Sequence, residues 1–365
     1  MKTFLYKLFA LIFNLSRAVH IKPGRIALLA PHPREKYDSF SAIKDYLSAN
    51  NQYEILEINV PHNKSNIFDY LKFFIIDSAK LAKSEYIFLN DNFMPLADLK
   101  ISGKTTVIQI WHGEGAFKKF GLLLEQSNDI KSRIIKCSEK TDFIICTSEK
   151  IRSVYSDAFG TNTEKVIALG SARNDYLINL NKSETRKKYE IKYPQIKDKK
   201  LILYAPTFRD NDIRDSSLLE NTDFRFLTEK LGEEYSILIK LHPGIHSASI
   251  PDYIINVTDE SITELTIISD LLITDYSSVC MNFVYLKKPV VFYAYDLENY
   301  KSDRSFCFGY EDYVPGPIIK DYRELPEIIK NPPDFEKIDK FGEFNFKYID
   351  NQNTKRIIEK VMGNR

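Results

Sequence analysis

The feature that most constrains this chain is a sustained alternation of short apolar runs with stretches of helical period. In the first half, strand-like runs fall at Ile26–Ala30, Tyr53–Val60, Tyr86–Leu89, Thr106–Trp111, Phe143–Thr147 and Val166–Leu169, with helical patterns between them at Ser39–Ala49, Phe68–Ala82 and Glu149–Phe159. The alternation resumes after Lys200. Strands are expected at Leu201–Tyr204, Ile237–Leu241, Tyr253–Val257, Leu271–Thr274 and Val290–Tyr293, and helices at Phe224–Leu231, Ile262–Ser269 and Val279–Leu286. Strands separated by helices cannot pair as hairpins. The crossover makes neighbours parallel, and a parallel sheet must be covered on both faces. At 365 residues the chain is long enough for two such sheets. The expected architecture is α/β, two doubly wound parallel-sheet domains facing a cleft, with ligands at the carboxyl ends of the strands. The boundaries read as a helix over 1–20, a first domain over 21–180, a lysine-rich linker over 181–200, a second domain over 201–330 and a helical tail over 331–365, the last ending in the pattern Thr354–Val361.

Charge and composition exclude several functions. Lys and Arg number 51 against 50 Asp and Glu, a net charge of +1, which is unsuited to neutralising many phosphates of a nucleic acid. No GxGxxG follows the first strand, so a nicotinamide dinucleotide site has no support. Cys137, Cys146, Cys280 and Cys307 form no CxxC pair and have no neighbouring histidine, which argues against zinc, redox chemistry and a disulfide frame. The charge is uneven, however. Residues 1–34 carry Lys2, Lys7, Arg17, Lys22, Arg25 and Arg34 and no acidic residue. Phe4, Leu5, Leu8, Leu11, Ile12 and Leu15 recur there at helical spacing, in a run too short to span a bilayer. This reads as an amphipathic helix, lying either on an anionic membrane surface or on the body of the protein.

Two histidines stand where apolar strands end. His112 follows Val107–Trp111 and precedes Gly113, and His242 follows Ser236–Leu241 and precedes Pro243. Side chains at those positions of a parallel sheet face the ligand crevice. In Leu271–Val279 a strand runs through Thr274 and Asp275 into Ser277 and Ser278, which read as helix caps beside free N–H groups suited to an anion. Thr207 and Arg209 follow the first strand of the second half, and a forked guanidinium suits phosphate. Arg173-Asn174-Asp175 again follows a strand, and Arg304 lies near a stiff Pro315-Gly316-Pro317 loop.

Together these blocks resemble the CDP-glycerol glycerophosphotransferases of teichoic acid synthesis, the primases and polymerases for poly(glycerol phosphate) and their ribitol relatives. The family's WHG block, followed by a lysine and then a glycine, resembles Trp111-His112-Gly113 with Lys118 and Gly121. Its remaining blocks are matched, in order, at Arg173–Asp175, Tyr204–Arg209, His242-Pro243, Thr274–Ser278, Lys288–Tyr293, Asp296-Leu297 and Tyr310–Pro317. Departures are Glu114-Gly115 in place of Thr-Pro, Ser171-Ala172 in place of Tyr-Pro, and Gly309 in place of an acidic residue.

The resemblance implies a GT-B-like fold of two Rossmann-type domains, the first for the acceptor and the second for the donor. It also implies peripheral attachment to the cytoplasmic face of a bacterial membrane. The implied reaction moves glycerol phosphate, or a related polyol phosphate, from CDP-glycerol or CDP-ribitol to a hydroxyl of an undecaprenyl diphosphate-type lipid-linked acceptor, releasing CMP. His112 is the expected base, with Asp142 a candidate to orient it, and His242 the expected donor to a phosphate oxygen or the leaving group. Thr207, Arg209, Thr274, Asp275, Ser277, Ser278 and Arg304 are expected around the donor phosphates. Trp111, Gly113, Lys118, Arg173, Asn174 and Asp175 are expected near the acceptor or supporting the site. No cofactor or metal is expected to be required, since no paired carboxylates of DxD type are present. The competing readings are a GT-B glycosyltransferase using a nucleotide sugar and a non-catalytic membrane scaffold. The short chain points to a primase or single-step enzyme, and a homo-oligomer is compatible with it.

Overall fold

The computed structural model describes residues 2–17, 20–49, 52–62, 65–209, 219–242, 245, 249–303, 306–332 and 335–363. The chain forms two compact units, Met1–Asp175 with Asp350–Arg365, and Tyr176–Ile349.

The first unit is built on a six-stranded sheet: β1 (Lys22–Ala30), β2 (Glu54–Asn59), β3 (Ser84–Leu89), β4 (Thr106–Gln109), β5 (Phe143–Cys146) and β6 (Val166–Ala168). The spatial order is β2-β1-β3-β4-β5-β6, and every pairing is parallel. Central β1 aligns Ala27–Leu29 with Leu56–Ile58 on one side and Ile87–Leu89 on the other. Ile26–Ala30 are buried throughout, as a strand covered on both faces requires. The order reverses between β1 and β3, whose carboxyl ends therefore send their loops to opposite sides and leave a crevice.

The amino-terminal helix α1 (Lys2–Ser16) has two apolar faces. Phe9, Ala10 and Phe13 are buried in a cluster with Ala27, Leu29, Ile87, Phe73 and Phe93. Burying each phenylalanine stabilises the fold by roughly 1.5–3 kcal/mol. Asn14 fixes the helix end, donating to the Asp98 carbonyl at 3.2 Å and accepting from the Lys100 N–H at 2.7 Å. The other face, Phe4, Leu8, Leu11 and Leu15, remains exposed. The expected helix at Phe68–Ala82 is interrupted. Ile67–Leu71 passes through a wider π turn, Lys72–Asp77, before Ser78–Leu81. Phe73 stacks at 4.8 Å on Phe9, while Ile75 and Ile76 stay exposed.

The second unit has its own parallel sheet: β7 (Lys200–Ala205), β8 (Tyr235–Ile239), β9 (Ile255–Asn256), β10 (Leu271–Thr274), β11 (Val290–Tyr293) and β12 (Ile318–Ile319), in the order β12-β11-β10-β7-β8-β9. The reversal here lies between β7 and β10. The core gathers Ile202, Tyr204, Leu227, Ile239, Ile273 and Val291 with the helices on that face.

Two boundaries differ from those read in the sequence. The expected linker contains a helix, Lys182–Lys192, whose composition is polar but whose Thr185 and Tyr189, four residues apart, form a buried stripe. Tyr189 donates to Glu264 at 3.1 Å and Lys188 to the same oxygen at 2.6 Å, so the helix belongs to the second unit. The expected tail is divided. Glu336–Asn345 stays with the second unit and Asn353–Met362 with the first. Asp175 anchors the latter helix: its carboxylate accepts from Asn353 N (3.0 Å), Asn353 Nδ2 (2.8 Å) and Thr354 N (2.9 Å). Replacing Asp175 by Ala strands three buried donors and is expected to lower the unfolding free energy by about 2–3 kcal/mol. A denaturant midpoint equal to the parent's would show that Ile357 and Val361 hold the helix by packing alone.

Candidate active site

The loops at the β1/β3 reversal bring three chemically useful groups together. After β1 the chain reads Pro31-His32-Pro33, and after β3 it reads Asn90-Asp91. Asn90 clamps the two loops, accepting from His32 N and donating to the His32 carbonyl, both at 3.3 Å. Past β4, Trp111 takes a left-handed backbone (φ +54°), a costly conformation for a bulky residue. Its N–H donates to Gln109 Oε1 at 2.9 Å, and its ring stacks on Phe120 at 4.8 Å. This kink delivers His112 to the crevice. Gly121, in the same motif, has φ +56°, and a Cβ there would sit 2.2 Å from the Ala158 carbonyl oxygen.

His112 Nδ1 lies 3.1 Å from the Asn90 carbonyl and 3.8 Å from Asp91 Oδ2. A carbonyl only accepts, so Nδ1 carries the proton and Nε2 keeps its lone pair. His32 Nδ1 lies 3.7 Å from the same Asp91 oxygen. The two imidazoles stack face to face, centroids 4.0 Å apart and planes within 2°. Burial, followed by the neighbouring His32, holds the His112 pKa below the ordinary imidazole value, although Asp91 and the Asn90 carbonyl oppose the shift. An open cavity adjoins the pair, lined also by Asp38, Phe40, Trp111 and Arg173.

His32, Asp91 and His112 are the one trio of metal-ligating side chains, among the described residues, whose donor atoms lie within 4.8 Å of one another. A cation lies in the plane of each imidazole that binds it. Two rings stacked in parallel share no such point, so this arrangement does not fit joint ligation by both imidazoles.

The remaining residues expected near the acceptor form the support. Glu114 is buried, and burial raises its pKa. Arg173 Nε faces it at 3.6 Å, and Asn174, with its amide nitrogen turned toward Glu114, donates to both carboxylate oxygens at 2.5 and 3.1 Å. Gly113 accepts a hydrogen bond from Tyr155, and Lys118 is half-buried on the same loop. Asp142 is a correction. Its carboxylate accepts from Val107 N at 2.8 Å, at the amino end of β4, whereas His112 stands beyond the carboxyl end. The carboxylate beside His112 is Asp91.

In the second unit, Thr207 follows β7 and Asp275 follows β10, at that sheet's own reversal. Thr207 N donates to Asp275 Oδ1 at 2.8 Å. The Arg209 guanidinium is buried, donating to Asp275 at 2.7 Å and to Asp296 at 2.8 and 3.1 Å, and also to the Thr207 carbonyl. Burial opposes its charge, but Asp275 and Asp296 outweigh burial and hold it protonated. Tyr276 donates to Asp296 at 2.9 Å, and Thr274 Oγ1 to the Ala205 carbonyl at 2.7 Å. Thr207 Oγ1 is buried without a hydrogen-bond partner. Neither serine caps the following helix, Cys280–Tyr285. Ser277 Oγ accepts from Val279 N within the preceding turn, and Ser278 is exposed. His242 is exposed, three residues past β8, with its ring 4.4 Å from Phe208. Arg304 lies outside the described residues.

His32, Asn90, Asp91 and Asp296 are absent from the sequence-based site. The strand-end rule that selects His112 applies equally to His32 after β1 and Asp91 after β3. Replacing Arg209 by Ala leaves Asp275 and Asp296 without their cation, and a loss of about 3–5 kcal/mol in folding stability is expected, read as a lowered melting transition. Arg209→Lys should restore only part of it, because one ammonium cannot match both carboxylates. A parental melting transition in Arg209→Ala would show that the ion cluster does not hold the turn.

Residues 11–363 match the family model described as CDP-Glycerol:Poly(glycerophosphate) glycerophosphotransferase. The chain is 36% identical over 290 residues to the teichoic acid poly(ribitol-phosphate) polymerase of Bacillus spizizenii (strain ATCC 23059 / NRRL B-14472 / W23), covering 77% of this chain and 47% of that protein. It is 28% identical over 379 residues to the teichoic acid ribitol-phosphate primase of the same strain, covering 98% of this chain and 97% of that protein. It thus spans about half the length of the first relative and nearly all of the second. A structure of the wall teichoic acid polymerase TagF soaked with CDPG superposes with a TM-score of 0.81 at 25% identity, covering 98% of this chain and 93% of that one. With two parallel α/β units and GT-B-like architecture, this chain belongs to the CDP-glycerol:poly(glycerophosphate) glycerophosphotransferase family.

Proposed function

We propose that this enzyme transfers glycerol phosphate or ribitol phosphate from a CDP-activated donor to a hydroxyl of a lipid-linked acceptor in teichoic-acid-type polymer synthesis. The observation that carries this reading is the His112 imidazole, held through Nδ1 with Nε2 free beside an open cavity. In the reaction the acceptor oxygen forms a bond to the phosphorus that bears the polyol, and the bond from that phosphorus to the CMP oxygen breaks. His112 Nε2 takes the hydroxyl proton, and CMP leaves. Arg173 and Lys118 serve the acceptor side.

The donor's diphosphate is assigned to the β7/β10 turn. The orphaned Thr207 hydroxyl and the Ser277 and Ser278 hydroxyls are donors suited to phosphate oxygens there. Arg209 acts indirectly, by holding Asp275 and Asp296 and so the shape of the turn. His242 and Arg304 are the further candidates for contact with the leaving phosphate. Both relatives described above are ribitol-phosphate enzymes, so CDP-ribitol stands beside CDP-glycerol as a donor.

The same reading places the first unit against the inner face of the cell membrane. Exposed Phe4, Leu8, Leu11 and Leu15 lie on α1, and exposed Ile67, Phe68, Leu71, Ile75 and Ile76 lie on the segment that α1 meets through the Phe9–Phe73 contact. Phe4 and Phe68 are 69% and 75% exposed, and large apolar side chains left open on neighbouring segments suit a docking surface. No helix among the described residues is long and apolar enough to cross a membrane.

His112→Ala is expected to lower turnover by roughly 10²-fold or more while calorimetric binding of the CDP-polyol persists. Near-normal transfer would overturn the base assignment. Because the His112 pKa is lowered, the base form survives below the ordinary imidazole pKa of about 6.5, and the acid limb of kcat/KM should fall below that pH. A limb above it would contradict the assignment. Leu11→Asp with Phe68→Asp should reduce co-sedimentation with phosphatidylglycerol vesicles without lowering the melting temperature, since both side chains face solvent. Undiminished co-sedimentation would remove the membrane assignment.

A further inference from the structure

His32 has no part in the chemistry described so far, although its ring stacks directly on that of His112. Its backbone is held by the following Pro33, which disfavours the helical region, and by the reciprocal bonds to Asn90. Its side chain is 43% exposed, too open to add much to the core. What it does contact is specific: one face of the His112 ring at 4.0 Å, and the Asp91 oxygen that His112 also faces. His112 itself has one hydrogen bond at Nδ1 to fix its plane, with Trp111 tilted at 4.4 Å. A ring held at a single atom can still rock about its Cβ–Cγ bond, and a flat neighbour removes that freedom.

We propose that His32 is a positioning residue of the transfer reaction: stacked on His112 and facing the same Asp91 oxygen, it fixes the plane of the base against the acceptor hydroxyl. This rests on His112 being the base. The stack has a second consequence. Two parallel imidazoles 4.0 Å apart that share one carboxylate do not readily carry two positive charges. Of the other charged groups at this cavity, Asp38 is paired with Arg34, Arg173 faces Glu114, and Glu35 lines the rim. Asp91 is therefore the carboxylate that both rings face. The neighbouring His32 ring disfavours charge on His112, which keeps the base form of His112 available as the pH falls.

The test compares the full chain with His32→Ala, His32→Phe and His112→Ala, measuring CMP release from CDP-ribitol or CDP-glycerol with a short lipid-linked acceptor analogue across pH. His32→Ala is expected to lower kcat by roughly 10- to 100-fold while the donor KM stays within about twofold. Its acid limb should move to higher pH, because the opposing charge is gone. His32→Phe restores a flat ring without the Asp91 contact, and should recover part of kcat while the limb stays displaced. Parental kcat and limb in His32→Ala, or a change confined to KM, would overturn the proposal. Should His32→Ala fail to fold, His32→Phe decides: a parental limb in that variant overturns it. An active His112→Ala would instead remove the base assignment and this inference together, whereas an inactive His112→Ala beside a parental His32→Ala removes only this inference.

Discussion

The chemistry of this chain depends on a topological constraint, the reversal of strand order within each parallel sheet. A parallel sheet leaves its carboxyl ends on one edge. Where the winding changes direction, adjacent loops part and expose backbone and side chains to a ligand. In the first unit that point lies between β1 and β3, and it collects His32, Asn90 and Asp91, with His112 arriving from β4 next door. In the second it lies between β7 and β10, and it collects Thr207 and Asp275, with Asp296 arriving from the strand beyond. The apolar strands stabilise the sheets, and the reversals decide where polar residues become useful.

Both sites are braced by buried charge. Glu114 is held by Arg173 and Asn174, and Arg209 by Asp275 and Asp296. Such clusters recover in pairing what they lose in desolvation only when nearly every donor and acceptor is matched, so they are weak sources of net stability and strong determinants of loop shape. That explains why a guanidinium that looks in sequence like a phosphate ligand lies in the structure between two carboxylates. It also gives Glu114, a departure from the family pattern, a definite task beside Arg173.

Much of the fold was legible because strand and helix periods are local. Leu271–Thr274 and Val290–Tyr293 appear with the expected bounds, and Ile26–Ala30 is the buried end of β1. What was missed depends on distant partners. The helix Lys182–Lys192 looks like a linker until Tyr189 finds Glu264, and Asp175 looks like a site residue until Asn353, 178 positions later, supplies its donors. The π turn at Lys72–Asp77 leaves no mark in the apolar spacing. At the site, His112 was readable from its strand end. The carboxylate beside it was assigned to Asp142, which stands at the wrong end of the sheet, because sequence order does not reveal which strands are neighbours at a given edge. The amino-terminal helix was read as lying on the membrane or on the protein body. Its two apolar faces allow one to pack on the core while the other stays open.

The central claim is that a CDP-activated polyol phosphate is the donor. It is tested most directly by the mass of the lipid-linked product after incubation with CDP-glycerol, CDP-ribitol and a series of UDP-sugars. The account predicts an increment of a single polyol phosphate or a ladder of them, with CMP as the released nucleotide. A sugar increment accompanied by UDP, with neither CDP-polyol consumed, would contradict it.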